Sequence, residues 1–281
     1  MNSLADGIQN AIRYIEANLT EELDISLIAA EACVSAFHFQ RMFSILTGMT
    51  VGEYIRCRRL SAAAQELSLS GTRVLDIALK YGYESQDSFS RAFTRFHGIS
   101  PAAAKETGAR LKSFAPMRLR LILEGGYIMD YRIVEKAAFT VIGKAAKVPY
   151  EKSYDESPKL WEQHLGGTDA ETIRGMFGIC TDADDENLEY LIADVYFPQR
   201  DIPEDCTVRT FPAGTWAVFP CKGPAKETIQ RIDKQIFSDW LPNNTEYKLA
   251  ASCCSVEAYI TPPSPETGES YNEIWLPVEK I

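Results

Sequence analysis

The stretch "SAFHFQRMFSILTG", residues 35–48, decides the fold of the first part of the chain. Its apolar residues recur at the spacing i, i+3, i+4, i+7, which predicts a helix with one buried face: Phe39, Met42, Phe43 and Leu46. Ser35 precedes them as the predicted N-cap. A second stripe of the same spacing lies on another face: Phe37, Gln40, Arg41 and Ser44. An aromatic ring, an amide and a guanidinium in line suggest a surface that contacts a partner.

The same pattern returns fifty residues later in "SQDSFSRAFTRFHG", residues 85–98. Upstream, "IAAEACVS" (28–35) parallels "IALKYGYES" (77–85), so each copy reads as a short helix, a tight turn and a second helix. The turn holds Gly82 in the second copy and Cys33 in the first. Cys33 is therefore expected to carry modest strain or to adopt a slightly different turn.

A helix over Val51–Leu67 is predicted to join the two copies as a strut about 25 Å long, at ~1.5 Å per residue. Two helix-turn-helix units on such a strut match the ~34 Å separation of successive major grooves on DNA. Paired helical hairpins also occur in helical repeats and protein-binding bundles. Spacing alone therefore leaves open a helical adaptor that does not bind DNA.

The second stripes carry side chains suited to reading bases. Phe37 can contact a thymine methyl group, Gln40 can bind adenine, and Arg41 can bind guanine or a phosphate. Asp87 would repel phosphate, although it can accept a hydrogen bond from a cytosine amino group. The rest of the matching face in the second copy is Gln86, Ser90, Arg91 and Thr94. Phosphate contacts position a protein on the duplex without reading its sequence. They are expected from Arg56, Arg58, Arg59, Arg73 and Arg95.

After residue 129 the period changes from 3.6 to 2, and the order strand, strand, helix, strand, strand occurs twice. The second half therefore reads as α+β, with helices packed on one side of a sheet. In the last strand, "YNEIWLPVE", alternation puts Ile274 and Leu276 under a helix and Glu273 and Trp275 on the other face. A carboxylate beside a large ring is a natural site for an aromatic cation, although Glu273 can equally be solvated and Trp275 ordinary packing.

Residues 8–106 resemble the DNA-binding region of AraC-type transcription regulators, in particular the Rob, SoxS and MarA group. The resemblance covers both units and the strut, with Cys33 in place of the usual glycine and no closing Tyr-Arg in "AAAKE". It places the base-reading positions of that group at Phe37, Gln40 and Arg41. The full predicted DNA-binding set is Ser35, Phe37, Gln40, Arg41, Gln86, Asp87, Ser88, Ser90, Arg91 and Arg95.

The second half resembles the GyrI-like effector-binding domain, also found in regulators of the BmrR type. The resemblance rests on "MDYRIVEKAAFTVIGKAAKV", "FPAGTWAVFPCKG", "IFSDWLPNNTEY" and "YNEIWLPVEK". It implies a groove that binds lipophilic, often cationic, molecules through a carboxylate and aromatic rings. The predicted ligand-binding residues are Glu273, Trp275, Trp216, Tyr259 and Phe177. Some members of this family hydrolyse small cyclic compounds, so a hydrolase fused to a DNA-binding domain is the alternative.

Charge is unevenly distributed along the chain. Residues 1–120 carry 14 Lys and Arg against 12 Asp and Glu, whereas residues 121–281 carry 15 against 27. The acidic second half is a poor partner for nucleic acid and a plausible one for cations. Seven cysteines without a C-x-x-C pair, and a start without a signal-peptide pattern, favour the cytoplasm.

Other chemistry has little support in the sequence. The three histidines are far apart, Cys253 and Cys254 would point to opposite faces of a strand, and no apolar run is long enough for a membrane span. We therefore expect no catalytic residue, metal or cofactor.

The sequence thus predicts a two-domain transcription regulator. An all-α double helix-turn-helix domain (1–108) is followed by a linker (109–126) and an α+β domain (127–281) built from a duplicated β-β-α-β-β unit. The predicted partners are a double-stranded DNA operator, a small, lipophilic or cationic effector, and RNA polymerase, with no membrane.

Overall fold

The computed structural model describes residues 4–118, 129–167, 169–184, 186–199, 202–250 and 254–281. Contacts divide the chain into two compact units. The helical unit is drawn from residues 1–33 and 49–122, and the sheet unit from residues 34–48 and 123–281. The predicted linker 109–126 lies partly outside the described residues, and Cys253 lies wholly outside them.

Six α-helices occur in the described part of the first hundred residues. They are α1 (Leu4–Ala17), α2 (Ile25–Glu31), α3 (Ala36–Thr47), α4 (Val51–Leu69), α5 (Val74–Lys80) and α6 (Gln86–His97). By its contacts α3 belongs to the sheet unit, although in sequence it lies between helices of the helical unit.

The caps of α3 and α6 reproduce the repeat seen in the sequence. The side chain of Ser35 accepts a hydrogen bond from the backbone N–H of His38, and Ser85 accepts one from Ser88. Both helices end at a glycine in the left-handed conformation, Gly48 and Gly98.

The turns before these helices also correspond. Gly82 has a φ of 78°, and a Cβ added there would lie 2.6 Å from Nη1 of Arg59. Cys33 has a φ of 56° and is the one non-glycine residue with positive φ in the described ranges. The strain expected at Cys33 is therefore present in the backbone, because a side chain is disfavoured in this region.

The core of the helical unit lies where α5 and α6 pack against α4. Leu60, Ile77, Phe89 and Phe93 are buried there within one apolar cluster. The second helix-turn-helix and the strut predicted from the sequence are therefore packed together as one structure.

The sheet unit contains nine strands among its described residues. They are β1 (Arg132–Lys136), β2 (Phe139–Pro149), β3 (Phe177–Asp182), β4 (Asn187–Val195), β5 (Thr207–Phe211), β6 (Gly214–Gly223), β7 (Tyr247–Leu249), β8 (Cys254–Tyr259) and β9 (Ser270–Lys280). All pairs are antiparallel, in the order β1-β6-β9-β8-β3-β4-β2-β5, with β7 added on β9. The two predicted repeats meet where β3 pairs with β8. The first strand of each repeat pairs with the other repeat: β1 pairs with β6, and β5 pairs with β2. The sequence did not predict the short strand β7.

Besides α3, the α-helices described in this unit are α7 (Ser153–Gly166), α8 (Asp169–Thr172), α9 (Ala225–Gln235) and α10 (Leu241–Asn243). A π-turn over Ile236–Trp240 joins α9 to α10. The wider turn leaves Ile236, Phe237 and Trp240 all buried.

The two faces of the sheet are packed differently. The helix-covered face carries Cys180 and Tyr190 in a cluster that includes Leu160 and Trp161 of α7. The opposite face carries Phe177, Trp216 and Trp275 in a second cluster with Phe139 and Phe211. As the alternation predicts, Trp275 lies on the face opposite to the helices.

Candidate functional site: an aromatic cavity with two inner carboxylates, and two predicted reading helices

A cavity of about 750 Å³ lies between the helix-covered face and the helices α3, α7 and α9. Its volume falls within the ~300–1,000 Å³ typical of small-molecule sites. Four aromatic side chains line it: Tyr154, Trp161, Tyr190 and Tyr259. Three charged side chains lie deep in its wall, and these are Arg41, Asp233 and Glu257. The charged groups at its mouth are exposed: Glu162, Arg174 and Lys226.

Glu257 is held by phenols alone among the described residues. Its Oε2 accepts hydrogen bonds from the hydroxyls of Tyr190 at 2.6 Å and Tyr259 at 3.0 Å. Burial raises the pKa of Glu257, and the hydrogen bond from Tyr190 and the charge of Arg41 only partly oppose this. The cavity therefore contains a carboxylate without an ion-pair partner in the described chain, whose ionised form a cation would stabilise.

Asp233 projects from α9 and is 3% exposed. Its Oδ1 lies 2.6 Å from Nη2 of Arg41, and its Oδ2 accepts a hydrogen bond from the hydroxyl of Tyr154. The guanidinium of Arg41 also lies 5.8 Å from the ring centre of Tyr154 and 5.6 Å from that of Phe237. Burial disfavours the charge of Arg41, but the attraction and hydrogen bond of Asp233, together with the neighbouring Tyr154 and Cys180, outweigh burial and raise the pKa of Arg41.

One further acceptor belongs to this wall. Asn272 is 1% exposed and donates through Nδ2 to Ser270, while its Oδ1 has no hydrogen-bond partner among the described residues. A buried amide oxygen without a donor is costly, so a ligand with an N–H group directed at it gains an interaction.

The structure buries the predicted reading stripe of α3. Phe37 is fully buried in the cluster of the helix-covered face, 6.1 Å from the ring of Tyr150. Gln40 and Arg41 are 6% and 9% exposed. The outward orientation predicted for this stripe is therefore corrected, because side chains of the sheet unit cover it. The role of these residues in DNA binding stays a prediction.

The second reading helix has the predicted exposure. In α6 the apolar residues Phe89 and Phe93 are buried, while the other face is open to solvent. Its predicted DNA-binding residues are exposed or half-buried: Gln86, Asp87, Ser88, Ser90, Arg91 and Arg95.

The arginines expected to contact phosphate divide into two groups. Arg56, Arg73 and Arg95 are exposed. Arg58 instead forms a bidentate pair with Glu16, and Arg59 donates to backbone carbonyls of Leu19 and Glu21. The phosphate role expected of Arg58 and Arg59 is thus corrected, since their guanidinium groups are engaged within the helical unit.

Of the predicted ligand-binding residues, only Tyr259 lines the cavity. Glu273, Trp275, Trp216 and Phe177 lie on or beside the opposite face. Glu273 accepts hydrogen bonds from Arg132, Tyr271 and Trp275, which outweigh the effect of burial and lower its pKa. The cavity is lined by Glu257 and not by Glu273, so the ligand-binding role of Glu273 stays a prediction, and Glu257 is the carboxylate that the cavity itself offers.

The register explains this shift. Val256 pairs with Trp275 and Glu257 with Ile274, so Glu257 shares the helix-covered face with Ile274, and Glu273 points the other way. The sequence held a signal for Glu257: in "CSVEAYI" an acidic residue interrupts a run of mostly apolar residues. Asp233 had a similar signal, because it follows Ile229 by four residues on the apolar stripe of α9.

In the described parts of the chain, no group of His, Cys, Asp and Glu side chains is arranged to hold a metal ion. Nor is any described helix long and apolar enough to cross a membrane.

Comparisons with known proteins bear on both halves of the chain. Residues 28–107 match the profile of a helix-turn-helix domain family, and residues 129–279 match that of the GyrI-like small molecule binding domain. The HTH-type transcriptional activator AarP of Providencia stuartii is 44% identical over 95 residues, which are 34% of this chain and 70% of AarP. The right origin-binding protein of Escherichia coli K12 is 42% identical over 95 residues, and the match spans only 33% of its length.

Among solved structures, SAV2435 bound to tetraphenylphosphonium is 18% identical with a TM-score of 0.48, covering 54% of this chain and 94% of that one. AarP is named as a transcriptional activator, and none of these comparisons supports the hydrolase alternative. The chain belongs to the AraC-type helix-turn-helix transcription regulators and carries a GyrI-like small-molecule-binding domain.

Proposed function

We propose that this protein is a one-component regulator that senses an apolar organic cation in the cavity beside Glu257 and binds an operator through α3 and α6. The observation that carries the ligand class is the composition of the cavity wall. Two carboxylates, Asp233 buried and Glu257 half-buried, share it with four aromatic rings, and only Asp233 has a cationic partner in the described chain. The four aromatic rings and the carboxylate of Glu257 together favour a ligand with delocalised positive charge.

The position of Glu257 makes the charge of the ligand decisive. A neutral apolar molecule entering the cavity would leave this carboxylate buried without compensation, or force it to take up a proton. A cation supplies the missing charge, and Asn272 Oδ1 can accept a hydrogen bond from an N–H group on it.

On the DNA side, we propose that Arg41 and Gln40 read bases once α3 is exposed, and that α6 binds through Gln86, Arg91 and Arg95. We propose that Asp87 either accepts a hydrogen bond from a cytosine amino group or lies away from the phosphates. The functional division proposed is 1–108 for DNA and 127–281 for the effector. RNA polymerase is the proposed protein partner, the proposed location is the cytoplasm, and no catalytic step is proposed.

The test of the ligand site is calorimetric titration with rhodamine 6G, an aromatic cation, and fluorescein, an anion on the same ring system. Wild type should bind rhodamine 6G and reject fluorescein. Glu257→Gln should weaken rhodamine 6G binding at least about tenfold, equivalent to about 1.4 kcal/mol. Glu273→Gln is the matched control and should bind as wild type. The reverse ranking of these two variants would place the site on the opposite face.

The test of DNA binding is selection from a random duplex pool across salt concentrations. Two recovered motifs about one helical turn apart would support reading by both helices. Failure to enrich any sequence, both with and without rhodamine 6G present, would count against operator recognition.

A further inference from the structure

The sheet unit holds α3 through contacts that a DNA-reading helix has to give up. Phe37 lies in an apolar cluster with Ile142 and Tyr150, and Arg41 is paired with Asp233. A side chain can reach a base edge only when it projects into the groove, so neither residue can do so in this arrangement.

Arg41 occupies the cavity wall in the way an organic cation would. Its planar, delocalised charge lies against a carboxylate at 2.6 Å and near the rings of Tyr154 and Phe237. These are the same interactions that favour a cationic ligand. The chain thus places its own cation on the surface that the cavity offers to a ligand.

Where α3 packs against the rest of the sheet unit, some of its buried polar atoms lack hydrogen-bond partners among the described residues. In the described structure His38 Nε2, Gln40 Nε2 and Arg41 Nε are buried and have no hydrogen-bond partner. Each such group costs free energy that exposure to water would recover. The ion pair of Arg41 is thus one of the favourable contacts that hold α3, and the unmet polar atoms lower the net cost of releasing the helix.

We propose that Arg41 acts as an internal substitute for the effector, and that a cationic ligand displaces it from Asp233 and releases α3 for DNA. The inference rests on the proposed function for its ligand class and for the reading role of α3. The held arrangement is the state with low operator affinity. A ligand that binds only the released arrangement shifts the balance about 100-fold at a concentration 100 times its dissociation constant.

Asp233→Asn tests the restraint without altering α3. We expect the ligand-free variant to bind the selected operator at least about tenfold more tightly than wild type, with little further gain from rhodamine 6G. Glu227→Gln is the matched control, because it removes one negative charge from an exposed position on the same helix. It should change operator affinity less than about twofold.

Histidine modification by diethyl pyrocarbonate reports the state of α3 directly, read by mass spectrometry. The chain has three histidines, and His38, His97 and His164 are all buried in this structure. Modification of His38 should be slow in wild type and should accelerate with rhodamine 6G or in Asp233→Asn, while His97 and His164 stay protected. Arg41→Met should also expose His38, which keeps the test available if Asp233→Asn does not fold.

The outcomes separate the inference from the proposed function. If rhodamine 6G binds but His38 stays protected and Asp233→Asn has wild-type operator affinity, the inference is overturned and the ligand site stands. If rhodamine 6G does not bind yet Asp233→Asn exposes His38 and tightens operator binding, the restraint is supported and the proposed ligand class fails.

Discussion

The hydroxyl of Tyr190 donates a 2.6 Å hydrogen bond to Glu257 while accepting one of 2.8 Å from the indole of Trp161. Trp161, Tyr190 and Glu257 therefore form one chain of hydrogen bonds across the cavity wall. The geometry fixes the carboxylate in a single orientation and couples its charge to two aromatic side chains that line the same space.

Tyr190→Phe should weaken the binding of an aromatic cation. The hydrogen bond from Tyr190 lowers the pKa of Glu257, so its loss raises that pKa further above the ordinary value. Because a cation needs the ionised carboxylate, the affinity for rhodamine 6G should fall as pH falls through the pKa of Glu257. The Tyr190→Phe variant should lose this affinity at a higher pH than wild type does. Calorimetric titration of rhodamine 6G between pH 5 and 8 measures this, with Tyr247→Phe on β7 as control. Identical pH profiles for Tyr190→Phe and wild type would contradict it.

Gly178→Ala should abolish ligand binding while the chain remains folded. A Cβ at Gly178 would overlap the hydroxyl of Tyr190 and lie 2.8 Å from Oε2 of Glu257, so both side chains must move. Gly214→Ala is the matched control, because a Cβ there meets nothing within 4 Å. Titration with rhodamine 6G should show loss in the first variant and wild-type affinity in the second. Equal affinities would mean that this hydrogen-bonded chain does not position the site.

The sequence predicts what is local and periodic, and it misses what depends on register and distant contacts. The caps at Ser35 and Ser85, the strained turn at Cys33 and the duplicated strand order all follow from short-range patterns and agree with the structure. The choice between Glu257 and Glu273 depends on which strand face the helices cover, and a shift of one residue reverses it. The pairing of Arg41 with Asp233 joins residues from different halves of the chain, so no local pattern signals it.

Arg58→Ala should lower the stability of the helical unit. Arg58 donates to both carboxylate oxygens of Glu16 and to the carbonyl of Phe114, and the hydroxyl of Tyr54 shares Glu16. Removing the guanidinium deprives the half-buried carboxylate of Glu16 of two N–H donors, which should cost about 1–3 kcal/mol in the free energy of unfolding. Urea unfolding measures the change, and Arg95→Ala on the exposed face of α6 should cost less than about 0.5 kcal/mol. An unchanged midpoint for Arg58→Ala would return Arg58 to the candidates for phosphate contact.

The held position of α3 should become less stable at acidic pH. Burial, followed by repulsion from Arg41, lowers the pKa of His38 to about 3 from an ordinary value near 6.5. Since the released or unfolded state takes up the proton more readily, the stability due to neutral His38 is present above pH 6.5. It is lost at about 1.4 kcal/mol per pH unit as pH falls towards 3.

Proton NMR of the three histidine rings can follow this titration. The His38 signal should not titrate between pH 8 and 6.5 in wild type, and in Arg41→Met its pKa should rise towards 6.5. His97 serves as the internal reference, because its pKa is lowered by burial far from α3 in the sequence. Ordinary titration of His38 in wild type would show that α3 is already exposed.

The pairing of Arg41 with Asp233 implies that binding to a promoter changes the affinity of the protein for its ligand. When an operator holds α3, Arg41 is no longer available to the cavity, and an incoming cation meets Asp233 and Glu257 without a competitor. Linkage requires that DNA then strengthens ligand binding by the same factor by which the ligand strengthens DNA binding. Copies of the protein already bound to a promoter would bind the ligand at lower concentrations than copies free in solution. The threshold of the response would therefore depend on the number and strength of operator sites as well as on the cavity itself.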